Sequence, residues 1–389
     1  MIGNKKFDVA VVGGGVAGCA AAVSAARAGR KVVLLERAVT LGGLATNGLV
    51  NWWEPMCDGK GNRLIGGIAE EMLLRGVRYG YDTIPSCWKS GTAEDCRAAS
   101  ALPKAQSRYV SAFSPTLFSL ALLAWMRDEG VEVVLDALLT DVSVRDKRVV
   151  SLRFATQSGF ERVYAERYID ATGSAEVFYR GGFPTEEGRN AKSYVAHVAD
   201  RNLVSLRKWY YVGDKSPWQN EDKSGFVAGT SREDVNAIMQ DGQLNLFADV
   251  KSGKVRDEII AIPTMPQFRT IRCVRGEYTL TGRDANRSFD DSLCVGGDFE
   301  RKGVWYEIPY RCFVAREADN VVAAGRIVSA SDAAWNAVRV IPVAALSGEV
   351  SGLVAALSAE KGVPVHGLGL SDLREALAER NLTAHGFAD

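Results

Sequence analysis

The sequence contains few of the residues that build metal sites and redox-active dithiols. It has 3 histidines among 389 residues, and we predict no bound metal. Its 7 cysteines include no pair at CxxC or CxxxxC spacing, which argues against a zinc site or a catalytic disulfide. An odd number of cysteines in a long chain is most simply explained by a reduced protein, so we expect a cytoplasmic location.

The sequence also lacks an excess of charge of either sign. Lys and Arg together number 47, and so do Asp and Glu. No net field therefore attracts nucleic acid or anionic lipid, and neither is predicted as a partner. The hydrophobic fraction of 47% and the charged fraction of 24% are those of an ordinary globular protein.

No uninterrupted apolar segment is long enough to span a bilayer. The nearest candidate runs from Val9 to Ala26 after two lysines and superficially resembles a signal peptide. Four glycines interrupt it, which favours a strand, a turn and a helix over one hydrophobic helix. We therefore expect no association with a membrane.

The first 36 residues follow the pattern of a strand, a glycine-rich turn, a helix and a second strand. These parts are Phe7–Val12, Gly13-x-Gly15-x-x-Gly18, Ala20–Ala28 and Lys31–Leu35, with Glu36 at the end. The glycine motif alone is weak evidence for a function, but the strand, turn, helix, second strand and acidic residue together are typical of a Rossmann dinucleotide-binding unit.

Each part of this unit has a physical role. Gly13 allows the tight turn, Gly15 lets the backbone approach a pyrophosphate, and Gly18 lets the helix pack on the strand. The helix N-terminus offers free N–H groups to the phosphates, and Glu36 would accept hydrogen bonds from the adenosine ribose. The predicted cofactor-binding residues here are Gly13, Gly15, Ala17, Gly18, Glu36 and Arg37.

A second glycine pair, Gly42-Gly43, follows Glu36 after five residues. The pattern resembles that of flavoproteins of the glutathione reductase superfamily, in which backbone passes close to the ribityl and pyrophosphate groups. This resemblance implies FAD rather than NAD as the cofactor. Leu44 stands where many such proteins carry an arginine, and we count it with the cofactor-binding residues.

Two later segments are expected to return to the nucleotide-binding domain. Strand patterns at 131–135, 140–145, 149–155 and 162–165 precede Ala171-Thr172-Gly173, which resembles the signature that closes the FAD domain in the same superfamily. Near the C-terminus, a strand leads into Gly325-Arg326. Val340 and Ile341 then precede a helix of small residues, whose N-terminus in such flavoproteins points at the flavin. These residues complete the predicted cofactor site.

Together these pieces resemble one family, the FAD-dependent oxidoreductases. Besides the motifs above, the resemblance rests on Asp58-Gly59, Gly66-Gly67, Gly276–Thr281, Ile308–Arg311 and Asn320–Pro342. It implies an α/β fold: an FAD-binding Rossmann-type domain, with a parallel sheet plus a three-stranded meander, and an inserted α+β substrate domain. We predict the FAD domain at 1–75, 105–175 and 312–360, a cap excursion at 76–104, the substrate domain at 176–311 and a tail helix at 361–389.

The substrate side gives weaker signals. Trp52, Trp335 and Asn336 lie in segments expected to flank the flavin, although core packing explains them nearly as well. A basic cluster is formed by Arg269, Arg272 and Arg275. Arginines can bind a carboxylate of a substrate through two hydrogen bonds. The alternative is that the cluster forms an interdomain salt-bridge network. If this segment is extended, Arg269 and Arg275 share one face and Arg272 points to the other.

The predicted catalytic residues are His197, Arg272 and Tyr278. His197 is the one histidine outside the tail and is a candidate general base, although an isolated histidine is more often structural. We predict hydride transfer between a small polar metabolite and flavin N5. A single fingerprint implies that the second electron donor or acceptor binds transiently. The alternatives are a flavin monooxygenase, a C=C reductase using NAD(P)H, and a non-catalytic flavin-binding subunit or redox sensor.

Overall fold

A computed structural model describes residues 5–60, 62–80, 82–84, 110–190, 193–199, 206–212, 226–382 and 384–385, with backbone alone at 206–212 and 332. The strands of this part are β1 (Lys6–Val12), β2 (Val32–Leu35), β3 (Trp52–Trp53), β4 (Ser111–Ala112), β5 (Glu132–Val134), β6 (Leu138–Arg145), β7 (Arg148–Thr156), β8 (Gly159–Asp170), β9 (Thr185–Glu187), β10 (Ser193–Ala199), β11 (Leu206–Val212), β12 (Glu258–Ala261), β13 (Arg272–Val274), β14 (Ser292–Gly297), β15 (Trp305–Pro309) and β16 (Val321–Ala323). The helices are α1 (Val16–Arg27), α2 (Gly67–Val77), α3 (Pro115–Asp128), α4 (Glu176–Arg180), α5 (Arg232–Lys251), α6 (Asp332–Val338), α7 (Ile341–Lys361) and α8 (Leu370–Glu379).

A parallel sheet in the order β5-β2-β1-β8-β16 forms the centre of the fold. Val11 pairs with Leu34 on one side and with Ile169 on the other. All four residues of β2 and all three of β16 are buried, because a parallel sheet is covered on both faces and its strands must be apolar throughout. The carboxyl ends of these strands meet at one edge of the sheet.

The predicted three-stranded meander is present as β6, β7 and β8, paired antiparallel. The sequence pattern separates its last strand from the segment that ends at Asp170. In the structure both belong to the single strand β8, whose first half pairs with β7 and whose second half pairs with β1. The meander is therefore a direct extension of the parallel sheet.

Helices α1 and α7 cross at very short range beside the sheet. A Cβ atom added at Gly348 would collide with the carbonyl oxygen of Ala17, and one at Gly352 with that of Ala21. Glycine is needed at both positions because the two backbones approach too closely for any side chain. The hydroxyl of Ser24 also donates to the Glu349 carbonyl at 2.6 Å.

Helix α7 begins at Ile341, a residue that the sequence analysis places just before the helix. Pro342 is its second residue, a position that tolerates a missing N–H. In the described part of the chain this helix alone is long and apolar enough to cross a membrane, and 94% of that apolar window is buried in the protein.

A smaller sheet in the order β11-β10-β12 and helix α5 form a separate layer. Their core of Tyr194, Ala196 and Leu246 is distinct from the main one. The side-chain oxygen of Ser231 caps α5 by accepting from the Asp234 amide at 3.0 Å. The Asp234 carboxylate accepts from the Gly229 amide at 2.9 Å.

The predicted domain limits stay predictions. Strands β13, β14 and β15 belong by sequence to the expected substrate domain, and their buried side chains pack into the main core. Most of the predicted cap excursion, residues 85–104, lies outside the described residues. The predicted tail helix is α8, which begins at Leu370.

Candidate functional site

A cavity of about 700 Å³ opens at the carboxyl-end edge of the parallel sheet. The loops that follow β1, β2, β8 and β16 form one wall, and Ser193 and Val195 of β10 contribute to the opposite side. Ligands of open α/β sheets bind at this edge, and the volume lies within the range of about 300–1,000 Å³ that is usual for ligand pockets.

The glycine-rich turn after β1 forms the floor of the cavity. Gly13 has a φ of +102°, a left-handed conformation that favours glycine. A Cβ atom at Gly15 would meet no protein atom within 4 Å, whereas one at Gly18 would collide with the Gly13 carbonyl. Gly15 therefore faces open space and Gly18 a packed contact. Ala17 also lines the cavity, as the sequence predicts.

Glu36 holds the turn from the end of β2. Its carboxylate is buried and accepts from the Gly14 amide at 2.5 Å and from the Ala38 amide at 2.8 Å. Glu36 and the adjacent Arg37 also line the cavity. The side chain thus serves the loop itself as well as any ligand, a role that the spacing of the fingerprint does not indicate.

The second glycine pair lies against the first. The Gly42 amide donates to the Gly14 carbonyl at 2.7 Å, and a Cβ at Gly43 would come within 3.1 Å of the Gly15 Cα. Both glycines have positive φ values, +104° and +57°. Together with Leu44 they extend the same wall of the cavity.

The segment Ala171-Thr172-Gly173 crosses the end of β8 and lines the cavity. Asp170 fixes it, because this fully buried carboxylate accepts from the Thr172 amide and hydroxyl and from the Val177 and Phe178 amides. Burial raises the pKa of Asp170 to about 6 despite these hydrogen bonds.

Gly325-Arg326 and the start of α7 form the remaining predicted wall. A Cβ at Gly325 would lie 2.8 Å from the Cβ of Ala17, so this turn packs directly on the glycine-rich one. The Arg326 guanidinium donates to the carbonyls of Gly173 and Phe268 at 2.6 and 2.5 Å. Val340 and Ile341, at the N-terminus of α7, line the cavity next to it.

Of the predicted substrate-binding residues, Trp52 and Arg269 line the cavity. Trp52 donates to the Glu54 carboxylate at 2.8 Å. Arg269 extends from a segment in which Met265, Gln267 and Arg269 alternate into the cavity while Phe268 and Thr270 are buried. Arg269 itself lies at a bend of the chain, three residues before β13 begins.

Arg275 does not share the face of Arg269. It lies at the surface and pairs with Glu186, because the chain enters β13 at Arg272 and pairs with β9 there. The predicted common face is wrong for this pair.

Trp335 and Asn336 lie behind the cavity wall rather than in it. The Trp335 indole donates to the Arg326 carbonyl at 2.8 Å, and the Asn336 amide oxygen accepts from Arg339 Nε at 2.9 Å. Each therefore holds an arginine that does line the cavity. The geometry supports a positioning role for them, not the predicted contact with substrate.

The three predicted catalytic residues are not among those that line the cavity. Arg272 is buried, pairs with Glu176 at 3.1 Å and lies over the Tyr179 ring. The Tyr278 hydroxyl donates to Asp284 at 2.8 Å. His197 Nε2 lies 3.2 Å from the carbonyl oxygen of Leu49, a cavity residue. Contacts within the protein explain all three, so the geometry gives no support to their predicted catalytic roles.

The sequence prediction missed Arg339. Burial, together with the neighbouring Arg269 and Arg326, lowers the pKa of Arg339 to about 9. Burial also lowers the pKa of Arg326, to about 10, and Arg37 adds to this effect. No local pattern indicated Arg339, because its neighbours Phe299 and Arg269 are distant in the sequence. Among the described residues, no group of three or more His, Cys, Asp or Glu side chains could hold a metal ion.

The residues of the cavity fit a dinucleotide that carries a flavin. The open space over Gly15 suits a pyrophosphate, and the buried carboxylate of Glu36 suits a ribose. The cavity continues beyond these residues to Trp52, Arg269 and the α7 N-terminus. The flavin ring and a substrate would lie in that extension.

Comparisons with known proteins agree with this fit. The sequence model of a family described as FAD dependent oxidoreductase matches residues 8–223 and 227–377. Thiamine thiazole synthase from Desulfosudis oleivorans is 34% identical over 226 residues, which are 58% of this chain and 72% of that protein.

The fold also matches solved structures. A geranylgeranyl bacteriochlorophyll reductase-like protein from Thermoplasma acidophilum has a TM-score of 0.50 at 15% identity, with 97% of this chain and 84% of that chain covered. Similarity at this identity shows the fold alone. The predicted fold class, an α/β flavoprotein with a Rossmann-type domain, is confirmed.

Proposed function

Because the chain belongs to the family of FAD-dependent oxidoreductases, we propose that it transfers hydride between a small polar metabolite and flavin N5. The enzyme class and the cofactor, FAD, are those of the family and agree with the sequence prediction. A second electron donor or acceptor would bind transiently, since the sequence has one dinucleotide fingerprint.

One observation carries the proposal. The fingerprint residues and the group around Trp52, Arg269 and Phe299 line a single continuous cavity. A cofactor held by the fingerprint would extend towards this group, where a polar metabolite would meet it. The protein then supplies binding, orientation and electrostatics, while the bound FAD supplies the hydride acceptor or donor.

Residues of the first wall would hold the cofactor. The α1 N-terminus and Gly15 would bind the pyrophosphate, and Glu36 the adenosine ribose. Gly42, Gly43 and Leu44 would border the ribityl chain. This assignment is supported by the placement of all of them on one wall.

The α7 N-terminus would act on the flavin end. Its unpaired backbone N–H groups and its dipole favour negative charge, which a reduced flavin carries. Leu49, Val50 and Ala344 give the neighbouring wall an apolar surface. Such a surface excludes water from the place where hydride would move.

Anaerobic reduction of the bound flavin tests the proposal. We expect at least one member of a panel of small polar metabolites to bleach the flavin absorbance without oxygen. A monooxygenase would instead consume oxygen when NAD(P)H is added and would release a hydroxylated product. That result, with no bleaching by any metabolite, would contradict the proposal.

A further inference from the structure

Besides the exposed Arg37, three arginines line the cavity without a paired carboxylate among the described residues. Within the described part of the chain, Arg269, Arg326 and Arg339 form no ion pair. The carboxylates that line the same cavity are already engaged: Glu36 by backbone amides, Glu54 by Trp52, and Glu176 by Arg180 and Arg272. Uncompensated positive charge in a cavity favours an anionic ligand.

Arg326 makes different contacts from Arg269 and Arg339. Its guanidinium donates to the Gly173 and Phe268 carbonyls, and its neighbouring glycine packs on Ala17 of the fingerprint. Its pKa responds to Arg37, which follows Glu36, whereas that of Arg339 responds to Arg269 and Arg326. Arg37 is therefore a neighbour of Arg326, and Arg339 is a neighbour of both Arg326 and Arg269.

Arg339 and Arg269 are held in place from behind. Asn336 accepts from Arg339 Nε, and the Arg339 guanidinium lies 5.6 Å from the centre of the Phe299 ring. Among the described residues, neither terminal nitrogen of Arg339 has a hydrogen-bond partner, so both face a possible ligand. The backbone of Arg269 is fixed by Asn190, whose amide oxygen accepts from the Arg269 amide at 2.7 Å.

Glu300 is the acidic residue that acts on both Arg269 and Arg339, but it does not pair with either. Glu300 raises the pKa of both arginines against the larger effect of burial. It is exposed and forms an ion pair with neither. Both arginines line the cavity, Arg339 fixed at Nε and Arg269 fixed at its backbone. Guanidinium groups match the planar oxygens of a carboxylate or a phosphate.

We infer that Arg269 and Arg339 bind an oxyanion group of the substrate, a carboxylate or a phosphate, beyond the FAD-binding part of the cavity. This inference rests on the proposed function, because it assigns the substrate class of the same site. The anionic group would anchor the metabolite and present its reactive carbon to the flavin end. Arg339 and Arg269 are thus specificity-determining residues.

Calorimetric titration of the FAD-loaded enzyme tests this inference. Inorganic phosphate, succinate and neutral succinamide are the probes, and the FAD content of every preparation is measured first. We expect saturable binding of phosphate or succinate and none of succinamide. Phosphate alone would identify a phosphorylated substrate, and succinate alone a carboxylate.

Variants locate the site. Arg269→Gln and Arg339→Gln should each weaken anion binding about tenfold or more, since a hydrogen bond to a charged group is lost. Their FAD content should stay full. Arg339→Lys should fall between wild type and Arg339→Gln, because lysine keeps the charge without the fork. Arg232→Gln, which removes an exposed charge on α5, should match wild type.

Three results would overturn the inference: no binding of either anion, unchanged affinity in both glutamine variants, or loss of FAD from both. The last would assign the arginines to the cofactor. Bleaching of the flavin by neutral metabolites without anion binding would refute this inference alone. Anion binding without bleaching by any metabolite would refute the proposed reaction and leave the anion site standing.

Discussion

At the scale of single residues, a side chain at Gly15 would disturb ligand binding without disturbing the fold. A Cβ added there meets no protein atom within 4 Å, so Gly15→Val should fold normally. The valine side chain would occupy the space expected for the pyrophosphate. We predict loss of bound FAD with an apoprotein stability within about 1 kcal/mol of wild type.

The ratio of FAD to protein and the unfolding midpoint of the apoprotein measure these two effects. Gly66→Val is the matched control, because a Cβ at Gly66 also meets nothing within 4 Å and the residue does not line the cavity. It should retain FAD. Full FAD content in Gly15→Val would show that the phosphate loop is placed wrongly.

Glu36 serves both the ligand and the loop. Its carboxylate accepts from the Gly14 and Ala38 amides and would also accept from the ribose. Glu36→Ala should weaken FAD binding by about 10- to 100-fold, as expected for about 1.5–3 kcal/mol, and should destabilise the apoprotein as well. The flavin potential should change little because the flavin lies at the other end of the cavity.

Asp8→Ala is the control for this effect. Asp8 also accepts from a backbone amide, that of Lys31 at 2.7 Å, and it does not line the cavity. It should lower stability without lowering FAD affinity. An FAD dissociation constant unchanged by Glu36→Ala would contradict the ribose assignment.

At the scale of elements, helix α7 carries a buried carboxyl group at its contact with α2. Glu349 accepts from the Ile68 amide at 2.8 Å, and burial raises the pKa of Glu349 to about 7. The folded protein thus keeps a proton that the unfolded chain releases above pH 4.5. The resulting stability is complete below pH 4.5 and is lost as the pH rises through 7.

Glu349→Gln should remove this dependence. Between pH 5 and pH 8, wild type should lose roughly 2.5 kcal/mol of unfolding free energy that the variant keeps, because folding raises the pKa of Glu349 from 4.5 to about 7. Denaturant unfolding at both pH values measures it. Glu360→Gln, on the same helix and exposed, should follow wild type; a parallel pH profile for Glu349→Gln would contradict the account.

At the scale of the whole molecule, local patterns predicted the nucleotide-binding frame. Glycines in a turn and apolar runs of strand length depend on neighbours in sequence, so β1, α1, β2 and the meander were predictable. Arg339 was not, because Phe299 and Arg269, which lie beside it, come from two distant segments. His197 and Tyr278 misled for the same reason: their partners, Leu49 and Asp284, are set by the fold.

The cavity joins the two layers of the molecule. The parallel sheet supplies the cofactor wall, and Ser193 and Val195 of the smaller sheet border the opposite side. A bound cofactor would therefore connect the two layers and stabilise them together, as any ligand of the folded state does.

The identity of the bound cofactor tests the central claim most directly. The purified protein should be yellow, and heat or acid should release one flavin per chain. Chromatography of the released flavin should show FAD and not FMN, because the cavity is built around a fingerprint for the adenosine and pyrophosphate groups. A colourless protein that does not take up FAD on reconstitution would contradict the account.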